Sequence, residues 1–241
     1  MYIIFSPSKK QLPQQSVRPT NPRFQDMTDL LYQKLSSLSQ VDLAQYFKIS
    51  DKVSGQLHTA YKNKDVYGNA LSSYSGNSFL RLDLKNYSNE DWKFAQKHLR
   101  ILSGMYGILK PKDRIKVHRI DLSDNVDWMN LDHNLYGYWR DVVNNELQKT
   151  DTILNLASGE YSKILSPDNY EKLTDVHFRV NSNGAFKNIS VFSKQQRGSM
   201  LDYIIKNKIT DFKKLRNYSN DGFVFDTDAS DKGCLVFTKT D

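Results

Sequence analysis

Cysteine is nearly absent. The single residue Cys234 in 241 excludes an intramolecular disulfide, and nothing in its usage points to an oxidising compartment. Histidine is also scarce, five in all, with no HxxxH, HExxH or CxxC spacing, so no zinc site is expected and no metal or cofactor is assigned. Long apolar runs are missing too. The opening run Tyr2 to Phe5 stops at Ser6 and Pro7, too short for a signal or a membrane span, which sets the expectation of a cytoplasmic protein with no membrane partner. With 11 glycines and 6 prolines, a collagenous or low-complexity chain is excluded, and neither a repeat nor a clear linker divides it.

What is present is a globular composition, 39% hydrophobic and 25% charged, with 14 tyrosines and 12 phenylalanines. The length suits one mixed α/β domain over residues 1–241, with a mixed central sheet and surrounding helices. The formal charge of +7 favours a polyanionic partner, although many basic proteins bind none.

Hydrophobic spacing lays out the elements. Tyr2 to Phe5 reads as a buried strand, followed by a proline-containing loop from Gln11 to Pro22. Leu30, Leu31, Leu35, Leu38, Leu43 and Phe47 predict one helix or two broken near Ser39, and Ser50 caps a further helix from Asp51 to about Tyr61. A short helix is predicted in Asp65 to Tyr74, and irregular chain with a short strand at Arg119 to Leu122. Leu135, Trp139, Val142, Val143 and Leu147 form a helical stripe, and Thr152 to Ala157 a second compact strand. Val176 to Val180 and Phe186 to Phe192 read as a hairpin turning at Asn183–Gly184, ahead of a helix carrying Met200, Leu201, Ile204 and Ile205. GFVFD and CLVFTK close the chain as strands.

The stretch from Ser88 to Pro111 draws the most attention. Ser88 with Asp91 three residues on starts a helix, and Trp92, Ala95, Leu99 and Leu102 share its apolar face beside basic Lys93, Lys97 and Arg100. Gly104 and Gly107 frame Met105 and Tyr106 in a turn able to present bare N–H groups, with Lys110 and Lys112 adding charge. The pattern is similar to a helix-hairpin-helix DNA-binding element over about residues 88–115, with those nine residues as duplex contacts. The competing reading is an amphipathic core helix with a glycine cap and a solvated basic side.

A second group lies at predicted strand ends. Lys9 follows the first strand, Ser158, Glu160, Tyr161 and Lys163 follow the second, and Lys194 and Arg197 follow the predicted hairpin. Cations around one or two carboxylates suit a small anionic ligand or a DNA phosphate, with Arg197 as a bidentate grip. The alternatives are a structural ion-pair network and an enzyme site with Ser158 or a pKa-lowered Lys9 as nucleophile, although no histidine lies near either in sequence. Cys234 reads as a buried strand residue with an unreactive thiol, and Trp92, Trp128 and Trp139 as core.

Six stretches together resemble one family. SPSK at Ser6–Lys9, QKHLRILSGMYGILKPKD at Gln96–Asp113, HRIDL at His118–Leu122, NLASGEYSK at Asn155–Lys163, KQQRG at Lys194–Gly198 and the FDTDASDKGCLVF ending are similar to the peroxide stress protein YaaA family, also called UPF0246 or DUF328. The resemblance implies a single mixed α/β domain with a helix-hairpin-helix element, duplex DNA as partner, and a role in limiting damage from hydrogen peroxide and intracellular iron. It also implies functional positions at Lys9, Asp121, Asn155, Ser158, Glu160, Tyr161, Lys163, Lys194 and Arg197. Two departures stand out. A GDVY-like stretch is Gly76, Asn77, Ser78, Phe79 here, without its carboxylate, and the glutamate of an RLEM-like motif is the shorter Asp121.

Overall fold

A computed structural model describes residues 1–63, 66–131, 133–182 and 185–240. Strand β1 (Tyr2–Phe5) leads through the predicted loop to α1 (Gln25–Ser37), α2 (Gln40–Phe47) and α3 (Asp51–Lys62). The break near Ser39 is real. Ser39 and Asp42 form a reciprocal capping box that starts α2 and satisfies N–H groups a continuous helix would have used internally. The short strand β2 (Gly68–Asn69) and one-turn α4 (Ala70–Ser73) follow, and Asp65, the expected start of a helix there, lies outside the described residues.

Next come α5 (Asn89–His98), β3 (Leu99–Ser103), β4 (Gly107–Leu109) and β5 (Arg114–Ile115). Residues 119–122 are irregular, without the predicted strand. Then α6 (Leu135–Leu147), β6 (Ile153–Leu156) and the single turns α7 (Gly159–Ser162) and α8 (Pro167–Tyr170) lead to β7 (Leu173–Ser182). The chain closes with β8 (Ala185–Lys187), α9 (Ser190–Asn207), β9 (Ser219–Asn220), β10 (Phe223–Phe225) and β11 (Cys234–Lys239).

Among the described residues one nine-stranded sheet runs β4-β3-β1-β6-β7-β11-β10-β9, with β8 attached to β7. Its middle is parallel: β1 pairs with β3 and β6, and β7 with β6 and β11. Antiparallel pairs trim the edges. This is a single-domain α+β fold around one core. Parallel strands covered on both faces read as unbroken apolar runs, and every residue of β3 and β6 is buried.

The main departure from expectation lies at Leu99. Helix α5 has its predicted Ser88/Asp91 capping box but stops at His98, and residues 99–109 form a β-hairpin, not the turn of a helix-hairpin-helix. Leu99 and Leu102 fit helical spacing, yet Leu99 and Ile101 also alternate, and pairing with β1 (Ile3 opposite Leu99, Phe5 opposite Ile101) decides for strand. Tertiary pairing overrides a weak local preference. The predicted strand Phe186–Phe192 is likewise cut short, since α9 begins at Ser190 and takes Phe192, Lys194 and Arg197 into a helix. β7 and β8 do pair antiparallel, with Ser182 opposite Ala185, while Asn183 and Gly184 lie outside the described residues.

Trp92 and Trp139 are core, 4% and 0% exposed. Trp128 instead stacks on Tyr46 at the edge of the core, ring centroids 4.8 Å apart. Cys234 is half-buried at the start of β11, and burial, followed by the nearby Asp231 and Asp175 carboxylates, raises its thiol pKa, the opposite of an activated thiolate. No helix among the described residues is long and apolar enough to cross a membrane.

Candidate functional site

The predicted DNA hairpin is built as structure. Gly104, Met105, Tyr106 and Gly107 are all buried. The N–H groups of Met105 and Tyr106 both donate to Ser103 Oγ at 3.2 Å, and the Gly104 carbonyl accepts from Trp139 Nε1 at 2.8 Å. Donors spent inside the turn are not offered to a phosphate. Gly107 is needed because its φ is +68° and a Cβ there would meet the Trp139 ring at 2.5 Å. Arg100 is 4% exposed. Its Nη1 donates to the carbonyls of Gln96, Lys97 and Leu99, satisfying the end of α5, while Nε reaches Glu146 at 3.3 Å. Of the other proposed contacts, Lys93 and Lys97 are exposed, with Lys93 held to Glu90 at 2.7 Å, and Lys110 and Lys112 are half-buried.

The strand-end group is brought together. Phe5 and Leu156 are register partners, so β1 and β6 release their following loops side by side, with β3 on the other side of β1. That is the switch point of a parallel sheet, where a crevice opens beyond the carboxyl ends. A cleft of ≈ 490 Å³ lies there, and seven of the nine predicted residues line it: Lys9, Asp121, Ser158, Glu160, Tyr161, Lys194 and Arg197. Ser6 ties the two strand ends, accepting from the Ser158 N–H at 2.8 Å and donating to Ser158 Oγ at 3.2 Å.

Two predicted residues stand apart. Asn155 is buried beneath the cleft, where its side chain donates to Asp175 at 2.6 Å and accepts from the Ala157 N–H at 2.9 Å, which fixes the chain as it leaves β6. Lys163 is exposed after α7 and does not line the cleft.

Asp121 organises one end. Its Oδ2 pairs with Lys9 Nζ at 2.9 Å and its Oδ1 accepts from Tyr161 Oη at 2.5 Å. Gly104 makes this placement possible, since a Cβ there would meet the Ile120 carbonyl at 2.5 Å and Asp121 Cα at 2.9 Å. The hydrogen bond to Asp121 raises the Lys9 pKa, and burial followed by the Asp121 charge raises that of Tyr161. Lys9 is therefore a fixed cation and Tyr161 a neutral donor. The raised Lys9 pKa runs opposite to a pKa-lowered nucleophile, and the partner of Ser158 Oγ is Ser6, not a base.

Glu160 keeps more freedom. Its Oε1 accepts from Ser123 at 2.8 Å. Behind Asp121, burial raises the Asp124 pKa, and its carboxylate accepts the Asp121 N–H at 2.7 Å. Buried His118 has its pKa pushed down by burial to about 4 and is neutral. Nδ1–H donates to the Lys116 carbonyl at 2.8 Å, leaving Nε2 to face Tyr74 Oη and Gln11 Nε2, each at 3.4 Å.

The other end of the cleft is cationic. Lys194 and Arg197 project from α9, which lies close to the loop 76–80 because Gly198 presents no Cβ to the Ser78 carbonyl, only 2.0 Å from where one would sit. Arg197 Nε is out of solvent contact and has no acceptor among the described residues. Burial lowers the Arg197 pKa, and the Asp175 charge only partly opposes that. Lining residues beyond the predicted set include Ser6, Ser8, Lys10, Ser78 and Leu80, as well as Asn77, noted in sequence only as a missing carboxylate. Ser6, Ser8 and Lys10 were findable, since they flank Lys9 at the same strand end.

Fold and cleft together define a single-domain α+β protein with a cation-rich crevice at the switch point of a parallel sheet. The family model for peroxide stress protein YaaA matches residues 1–229. UPF0246 proteins of Teredinibacter turnerae and Fusobacterium nucleatum are 36% and 32% identical to this chain, each over 99% of both chains. One of Acaryochloris marina is 34% identical over 99% of this chain and 100% of its own. The chain belongs to the peroxide stress protein YaaA family, UPF0246, which is consistent with a stress-response role.

Proposed function

We propose that this is a DNA-binding protein of the peroxide stress response, and that it engages phosphate anions at the strand-end cleft, not at the glycine turn. One observation carries the reading: Lys9, Lys10, Lys194 and Arg197 line a single open cleft, and Arg197 Nε has no acceptor among the described residues. A buried donor without a partner costs free energy, and an anionic ligand oxygen removes that cost. Duplex DNA is the polyanion favoured by the net charge of +7, and its phosphates bind by releasing counterions. The exposed heads of Lys10 and Lys194 supply the rim contacts.

Titration of a fluorescent duplex across a salt series tests this. Affinity should fall linearly in log salt, with a shallower slope for Lys10→Ala and Lys194→Ala and an unchanged slope for Lys93→Ala. An unchanged slope for the cleft variants alongside a reduced one for Lys93→Ala moves the interface back to α5. A carboxylate pair, Glu160 and Asp121, shares the cleft and supports a second reading, an enzyme acting on a phosphate-bearing substrate.

A further inference from the structure

Resting on the reading of the cleft as an anion site, we infer that its floor takes a terminal phosphate, a phosphomonoester, and not the diester of an intact strand. The two ends of the cleft differ chemically. Asp121 at one end holds both Lys9 and Tyr161, so the Lys9 charge is already paired within the protein. The unspent cationic capacity lies at α9, with Lys194 exposed above and Arg197 below.

Arg197 is half-buried and its Nε is shut off from solvent. An oxygen that partners this guanidinium enters a cleft whose lining includes exposed Leu80 and buried Phe5 and Phe79. A backbone diester carries a sugar on both sides and follows the outer surface of a duplex, so it contacts rim lysines but is held away from the floor. A monoester carries substituents on one side only, presents three oxygens, and has up to two negative charges near neutral pH. It matches a planar guanidinium bidentately with a lysine beside it.

Glu160, across the cleft, is bonded through Oε1 to Ser123, and its carboxylate accepts from a hydroxyl of the ligand body. The same chemistry has two sources, a free nucleoside monophosphate and a phosphorylated strand end. Oxidative cleavage of a sugar–phosphate backbone leaves terminal phosphates, so the second source accords with the family's stress role.

The experiment is a set of anisotropy titrations on the full chain at one salt concentration. The probes are a short blunt duplex with hydroxyl ends and the same duplex phosphorylated at its ends, and the competitors are adenosine monophosphate and adenosine. End phosphorylation should tighten binding about tenfold or more, the effect of one charge-assisted bidentate pair. The monophosphate should compete and adenosine should not. Arg197→Met should erase the gain from phosphorylation, read as the ratio of that variant's affinities for the two duplexes. The surface variant Lys194→Ala should reduce the gain without touching the Arg197 guanidinium, which keeps the test sound if Arg197→Met misfolds.

Equal affinity for the two duplexes and no competition by the monophosphate overturn the inference and leave duplex binding standing. Competition or direct binding by the monophosphate, without a gain for phosphorylated ends, supports the monoester site and assigns it to a free nucleotide. Binding of the monophosphate with no affinity for either duplex supports the site and removes the DNA reading. No binding of any of these anions removes both.

Discussion

Two arginines separate the regions that looked alike in sequence. Arg100, beside the glycine hairpin, is buried with a carboxylate, three carbonyls and the Tyr2 ring around it, the guanidinium carbon 4.0 Å from the ring centroid. Arg197, at the cleft, has an Nε with no acceptor. Both come from basic, glycine-containing segments that suit a phosphate on paper. The comparison teaches that a binding site is marked by donors left unspent after folding, whereas donors consumed by the protein itself mark structure.

The largest expected contrast comes from removing each charge in turn. Arg100→Met takes one cation from the buried Glu146, which also pairs with Arg23 and Lys149, and uncaps α5. It should cost about 3–5 kcal/mol in urea unfolding while duplex affinity per folded molecule holds. Arg197→Met removes a half-buried charge whose Nε has no acceptor among the described residues and should leave stability unchanged or raised while lowering affinity for the end-phosphorylated duplex. The reverse pattern would exchange the roles of the two regions.

Gly107→Val sharpens the hairpin side. A β-branched residue at φ +68°, pressed against the Trp139 ring, should cost about 2–5 kcal/mol from backbone strain and overpacking together. A well-folded variant with specifically weakened DNA binding would return the turn to the interface.

Acid titration probes the buried support of Asp121. His118 falls from the ordinary 6.5 to about 4, so below pH 6.5 the unfolded chain binds a proton that the folded chain refuses. Its contribution is full above pH 6.5 and is lost as pH falls toward 4, by about 3 kcal/mol at roughly 1.4 kcal/mol per pH unit. Denaturant midpoints from pH 7 to 4 should show that limb, flattened in His118→Gln. Carboxylates titrate across the lower part of the range, so the difference between the two proteins is the readout, and parallel curves would contradict a neutral His118.

The smallest effect is alkaline. The Lys9 pKa is raised above 10.5 by Asp121, so its stabilisation is present below pH 10.5 and lost as pH climbs through the raised value. With the Lys9 side chain 58% exposed, solvent screening holds the loss to about 0–1 kcal/mol. Asp121→Asn should remove that dependence, which thermal melts between neutral and alkaline pH would register.

Much of the scaffold was legible because local rules and tertiary structure agree there. The break near Ser39, the box at Ser88, the stripe from Leu135 to Leu147, and the strands ending at Phe5 and Leu156 stand where spacing and turn chemistry put them. Legibility failed where a segment satisfies two periods at once. Leu99 to Leu102 fit a helix and a strand equally until β1 supplied a partner, and the alternating run expected to Phe192 is cut short because α9 begins at Ser190.

For the site, sequence by itself determined which cations and carboxylates follow strands, because a strand end is a local property. Lys9, Ser158, Glu160 and Tyr161 line the cleft for that reason, whereas Lys194 and Arg197 reach it on α9 and Asp121 on an irregular segment. Only the tertiary structure decided which of them remain chemically available. Arg100 and the glycine turn found partners from residues as distant as Glu146 and Trp139, and Arg197 was carried by α9 to a place where its Nε found none. Hydrogen-bond satisfaction is settled by what the whole chain brings within about 3 Å of an atom, and no local pattern of residues encodes that.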